Sequence, residues 1–202
     1  MKKVLVATTN KGKLAELTNF LSDLPIKLVS LSDVGITDNV EETGKTYIEN
    51  SVQKALFYAK KSGLPAIADD GGLEIEALNG EPGIRSRRWL GYEASDRVLL
   101  EHLKKVIKGL PKDNRNAAFK VAITLALPNG KTWSEEGSIQ GILSDKPQAS
   151  VIKGYPYRSF FYLPKLKKFY HESELTEGET KLYNHRWKAI SKLKPIIRRS
   201  SW

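Results

Sequence analysis

The 202-residue chain is expected to fold as a mixed α/β protein with a large twisted sheet and flanking helices. Three observations lead there. Short apolar runs alternate with segments of helical periodicity through the first half of the chain. Residues 119–127 then alternate large and small side chains, and Pro128-Asn129-Gly130 turns them back into residues 133–143, a long antiparallel hairpin. No repeat, low-complexity tract or long linker interrupts this order. The length suits one domain spanning 1–202, or two lobes sharing a core.

Taken in order, Val4, Leu5, Val6 and Ala7 form a first strand. The polar run Thr8-Thr9-Asn10-Lys11-Gly12-Lys13 follows, and Leu14, Leu17, Phe20 and Leu21 then recur at helical spacing. Ile26, Leu28 and Leu31 suggest a second strand after the Leu24-Pro25 break. An acidic loop leads through Glu41-Glu42-Thr43-Gly44 to Thr46 and Glu49, a capping box that opens the next helix. Its apolar face is Ile48, Val52, Ala55, Leu56 and Ala59. Asn50, Lys54 and Tyr58 line another face, and Gly63-Leu64-Pro65 ends it. Ala66-Ile67-Ala68 reads as a short buried strand, Asp69-Asp70-Gly71-Gly72 as a turn, and Leu73-Glu74-Ile75 as extended again. Ser95 or Asp96 caps a helix with Leu99, Leu100, Leu103, Val106 and Ile107 inward. After the hairpin comes an aromatic stretch, residues 155–163. The last helix turns Ala189, Ile190, Leu193 and Ile197 inward, and Pro195 is expected to kink or end it.

Composition excludes several chemistries. With no cysteine there is no thiol nucleophile, no zinc-thiolate site and no disulfide scaffold. The apolar run after Lys2 and Lys3 is too short for a signal peptide, and no stretch approaches a membrane span, so a cytoplasmic protein without a membrane partner is expected. The net charge of +10 points to a polyanionic ligand, and the basic residues crowd the end of the chain from Arg186. Phe160, Phe161 and Tyr162 among basic residues would suit stacked bases. They fit a buried strand better, and nucleic acid is not the expected partner.

Three places carry candidate chemistry. The run from Thr8 to Lys13 joins a strand to a helix start, where backbone N–H groups and the helix dipole favour an anion. It lacks the P-loop pattern, and its plain alternative is a polar turn. The carboxylates Glu41, Glu42, Asp69 and Asp70 form the second. The Asp69-Asp70 pair directly follows a buried strand, a usual place for a site in α/β folds. One or two carboxylates plus a phosphate suit Mg²⁺, and a satisfied turn is the alternative. Asn184-His185-Arg186 at the start of the basic helix is the third and weakest.

Together these residues resemble the inosine/xanthosine triphosphate pyrophosphatase family. The matching elements are Ala7-Thr8, Asn10 and Lys13; Glu41-Glu42-Thr43-Gly44 with Thr46-Tyr47, Glu49-Asn50 and Lys54-Ala55; Ala66 to Asp70 with Gly72-Leu73; Gly80, Pro82-Gly83 and Ser86; and His185-Arg186 with Ala189. The resemblance implies an elongated fold of two lobes around a central cleft, a homodimer, and Mg²⁺-dependent hydrolysis of a non-canonical purine nucleoside triphosphate to the monophosphate and pyrophosphate. It implies that Asp70 is the general base and that Glu41, Glu42 and Asp70 serve the metal. Substrate contacts would come from Thr8, Thr9, Asn10, Lys11, Gly12, Lys13 and Lys54 toward phosphate. Gly71, Tyr155, Pro156, Tyr157, Arg158, Lys181, His185 and Arg186 would supply the remainder, with His185 and Arg186 at the base. The chain departs from the family pattern on that side. Gly71 replaces a serine, Pro156 a glycine and Arg158 an acid, and Lys181 is displaced by one. A pyrophosphatase with another base preference, or a nucleotide- or nucleic-acid-binding protein without catalysis, are the alternatives.

Overall fold

A computed structural model describes residues 1–199. The elements run β1 (Lys2–Val6), α1 (Lys11–Phe20), β2 (Ile26–Ser30), α2 (Tyr47–Ser62), β3 (Ala66–Ile75), α3 (Asp96–Gly109), β4 (Asn116–Ala126), β5 (Thr132–Leu143), β6 (Phe161–Leu163), β7 (Lys168–Phe169), α4 (Glu177–Tyr183) and α5 (His185–Arg199). The seven strands make one open mixed sheet in the order β2-β1-β3-β4-β5-β6-β7. β1 is parallel to β2 and β3, whereas β5, β6 and β7 are antiparallel. The expected α/β class is the one adopted. No described helix is long and apolar enough to cross a membrane.

The chain divides into two compact units. The first contains residues 1–70, residues 121–137 and the chain from Arg186; the second contains residues 71–120 and 138–185. In the first unit β1, β3 and β4 are buried on both faces. Val4, Val6, Ile67, Val121 and Ile123 pack with Leu17 and Phe20 of α1 and Ile190 and Leu193 of α5. Leu5, Ala7, Ala66, Ala68 and Ala126 pack with Ala55, Tyr58 and Ala59 of α2. The small side chains of β4 fall on the α2 side, where Thr124 Oγ1 lies 2.7 Å from Ser51 Oγ. In the second unit Leu99, Leu103 and Ile107 of α3 pack with Leu73, Ile75, Phe119, Phe161 and Tyr170.

Several local expectations are corrected. Asp69-Asp70-Gly71-Gly72 is no turn: β3 runs unbroken through it. The glycine serves close packing instead, since a Cβ on Gly72 would lie 2.2 Å from both Gly83 O and Ser86 Oγ. Ser86 Oγ also accepts the Leu73 N–H at 2.9 Å. Pro195 does not end α5, which continues to Arg199. Ile197, one turn on, is buried in the same core as Ile190, and such burial is worth about 1.5–3 kcal/mol, comparable to the roughly 3 kcal/mol that an interior proline costs. On α2 the inward residues are Tyr47, Asn50, Ser51, Ala55, Tyr58 and Ala59, while Ile48 is 38% exposed. The capping box there is half formed: Thr46 Oγ1 accepts the Glu49 N–H, but Glu49 reaches back to Lys45 N. The complete capping box belongs to α4, a helix not among those expected although Thr176 and Glu179 carry its signature.

Candidate functional site

Successive side chains of a strand point to opposite faces, and β3 uses this to give two adjacent aspartates different surroundings. Ile67 and Asp69 share the face packed by α1 and α5; Ala66, Ala68 and Asp70 share the face packed by α2.

On the first face, Asp69 Oδ2 accepts from Arg186 Nε at 2.9 Å and lies 3.1 Å from Lys13 Nζ. Arg186 Nη1 also donates to Glu16 Oε2 at 3.3 Å. Asp69 and Arg186 are buried. Burial alone would raise the Asp69 carboxyl, but Lys13 and Arg186 hold it well below the usual carboxylate range. Its other oxygen, Oδ1, is buried and has no hydrogen-bond partner among the described residues.

On the second face, Asn50 Nδ2 donates to Asp70 Oδ2 at 2.9 Å. Lys54 Nζ stands between two carboxylates, donating to Glu42 Oε1 at 2.5 Å and lying 4.0 Å from Asp70 Oδ1. Burial raises the Asp70 carboxyl above its ordinary value; Lys54 opposes this and Glu42 adds to it. Burial would lower Lys54, yet Asp70 and Glu42 together keep its ammonium more firmly protonated than usual.

Glu42 reaches this place because residues 38–44 run as a strap along one side of α2. Gly44 N donates to Asn50 Oδ1 at 2.8 Å, Thr43 N to Gln53 Oε1 at 3.3 Å, and Tyr58 OH to Asp38 O at 2.9 Å, while Lys61 pairs with Asp38 at 2.5 Å. The strap settles which glutamate faces inward. Glu42 meets Lys54, whereas Glu41 is exposed.

The candidate phosphate loop is a helix cap. Thr8 Oγ1 accepts the Asn10 N–H, and Asn10 Oδ1 accepts the N–H groups of Gly12 at 2.9 Å and Lys13 at 3.2 Å. Two amides that a helix start would offer an anion are thus taken by Asn10 itself. Lys13 turns its charge inward to Asp69, while Thr9 and Lys11 are exposed and Thr8 and Gly12 half-buried.

The other expected residues lie in the second unit. The Arg158 guanidinium is buried between aromatic rings, 3.7 Å from the Tyr155 centroid and 4.5 Å from that of Tyr170. Pro156 and Tyr157 are buried, and Tyr157 OH donates to Ser86 O at 2.6 Å. His185 stacks on Phe119, with ring centroids 5.4 Å apart, and its Nδ1 lies 3.2 Å from Tyr170 OH. His185 and Arg186, one motif in the sequence, therefore sort into different sets: His185 joins the aromatic cluster, and Arg186 clamps Asp69. Lys181 is exposed on α4 and pairs with Glu177, and Gly71 is half-buried after Asp70. The sequence places Asn50 on one helix face with Lys54 but gives it no role, and it gives none to Glu16 or to the clamp on Asp69. The spacing of Asn50 and Lys54, one helical turn apart, was the available signal for the first.

An α/β protein thus carries two buried aspartates on one strand, with Lys13 and Arg186 against the first and Asn50, Lys54 and Glu42 about the second. A family profile matches residues 4–196 and is that of the Ham1 family. The chain belongs to that family. It is 36% identical to a dITP/XTP pyrophosphatase of Bacillus licheniformis, covering 98% of each chain. It is 40% identical to a dITP/XTP pyrophosphatase of Pectobacterium atrosepticum, covering 98% of this chain and 99% of that one. Among solved structures, a HAM1 protein from Coxiella burnetii superposes with a TM-score of 0.83 at 32% identity, over 99% of this chain and 100% of the other.

Proposed function

We propose that this protein is a nucleoside triphosphate pyrophosphatase that hydrolyses non-canonical purine nucleotides (ITP, dITP and XTP) to the monophosphate and pyrophosphate. The observation that carries this reading is the pairing of Asp70 with Lys54 and Glu42 beside the Lys13–Asp69–Arg186 clamp, in a chain similar end to end to dITP/XTP pyrophosphatases. Attack of water on the α-phosphorus builds negative charge on the phosphate oxygens and on the departing pyrophosphate. Lys13 and Lys54, the lysines paired with Asp69 and Glu42, are the cations that would meet that charge. Asp70, its carboxyl raised by burial, is the group suited to take the proton from water.

Magnesium fits the donors present. Glu42 and Asp70 offer hard carboxylate oxygens on either side of one ammonium. Among the described residues no group of three metal-ligating side chains exists, so phosphate and water would complete the coordination, as is usual for this ion. Bound there, it supplies Lewis-acid charge to the phosphate oxygens. A cytoplasmic homodimer belongs to the same reading.

The base preference is where this chain departs from the family pattern, because Arg158 brings a donor-only group where an acceptor-only carboxylate is expected. A panel of ITP, XTP, dITP, GTP, ATP and dUTP tests activity and preference together. Pyrophosphate release equal to monophosphate is expected, with the hypoxanthine and xanthine nucleotides preferred and activity abolished by a chelator. Nucleoside diphosphate plus orthophosphate as direct products, or full activity in excess chelator, would overturn the proposal.

A further inference from the structure

We propose that Asn50 is a positioning residue of this site: one buried carboxamide that sets both of its carboxylates, Asp70 directly and Glu42 through the strap. The inference rests on the proposed hydrolysis for its meaning and on geometry for its content. Asn50 is 1% exposed, and its two polar atoms face different parts of the chain. Nδ2 donates to Asp70 Oδ2 at 2.9 Å, and Oδ1 accepts the Gly44 N–H at 2.8 Å. Only a carboxamide has a donor and an acceptor arranged in this way. A carboxylate cannot donate, and an aliphatic side chain does neither. The strap is shaped to the amide. A Cβ on Gly44 would lie 2.6 Å from Asn50 Oδ1 and 2.7 Å from Glu49 Cβ, so the backbone closes on Asn50 only because residue 44 is glycine.

The helix start is fixed as well. Thr46 caps α2 through the Glu49 N–H, which sets Asn50 in the first turn and Lys54 one turn further along the same side. Pinning Gly44 then delivers Glu42, two residues back along the strap, to Lys54. The Asn50–Asp70 bond fixes the plane of the second carboxylate, leaving Oδ1 toward Lys54. Asparagine is a poor residue for a helix interior, and burying its amide unpaired would be costly. Here both ends are paired, and both pairings lead to the site.

The test uses Asn50→Leu, close in size and unable to hydrogen-bond, with Asn50→Ser as a second variant should the first fail to fold. Five quantities are measured on the full chain: kcat and KM for ITP, affinity for metal-free α,β-methylene-ITP and affinity for Mn²⁺ in the presence of that analogue, all below Tm, and Tm itself. Loss of a group that orients metal-facing carboxylates is expected to lower kcat and Mn²⁺ affinity by about 10–100-fold. Metal-free analogue binding should be unchanged, because Lys13 and Lys54 remain. Wild-type kcat and Mn²⁺ affinity in a folded variant would overturn the proposal. So would an equal loss of metal-free analogue binding, which a merely structural residue would produce. If the wild type releases no pyrophosphate, the activity reading fails, and the Mn²⁺ affinity still decides the role of Asn50.

Discussion

Asp70→Asn is expected to lower kcat by at least about 10²-fold while leaving most of the affinity for nucleotide. The substitution keeps the shape and removes a charge and a proton acceptor. Asp70 is buried on the α2 face, where Asn50 donates to one oxygen and Lys54 faces the other. Neither Lys13 nor Lys54 is touched, so attraction for triphosphate persists. Single-turnover kinetics alongside equilibrium binding separates the two effects. The neighbouring Asp69→Asn serves as the contrast. Asp69 neutralises the buried Arg186 and the half-buried Lys13, so its loss should register first in thermal stability. Near wild-type turnover in Asp70→Asn would remove that residue from the chemistry. Equal kinetic loss from Asp69→Asn with unchanged stability would mean the two faces of β3 do not divide the roles.

The second large effect is on stability. Arg186→Met should destabilise the fold by about 3–5 kcal/mol at neutral pH, the cost of stranding a buried carboxylate. Arg186 and Asp69 are each almost wholly buried and 2.9 Å apart, and Glu16 loses a partner at the same time. The pH dependence has a definite sign. Lys13 and Arg186 together hold the Asp69 carboxyl below its unfolded value against the effect of burial. The stability this supplies is complete above the ordinary carboxylate pKa of about 3.9, falls as pH drops below it, and is gone only below the depressed folded-state value. The gap between wild type and Arg186→Met should therefore narrow below about pH 4. Urea denaturation at neutral and acid pH measures it. A loss under about 1 kcal/mol at neutral pH would place this pair with ordinary surface bridges.

Much of the site is legible in the sequence, because its chemistry sits in short runs beside strong apolar patterns. The loop from Thr8 to Lys13, the glutamate pair and the aspartate pair all stand out against strand and helix periodicity. What stays hidden depends on the third dimension. Charge and glycine together made Asp69-Asp70-Gly71-Gly72 resemble a turn. The strand persists because each aspartate has its own cationic or amide partner and Gly72 must approach Ser86. Glu41 and Glu42 are equivalent in sequence, and only the strap tying residues 38–44 to α2 distinguishes them. Asn50 is one more polar residue in a helix until Asp70 and Gly44 are found at its two ends. Arg158 departs from the expected acid, and no sequence pattern announces that two tyrosine rings enclose it.

The central claim is that this site directs water to the α-phosphorus of a purine nucleoside triphosphate. Hydrolysis of ITP in oxygen-18 water, with the products resolved by mass spectrometry, tests it most directly. The expected result is one labelled oxygen in the inosine monophosphate and none in the pyrophosphate. Label in the pyrophosphate, or in orthophosphate released beside a diphosphate, would contradict it.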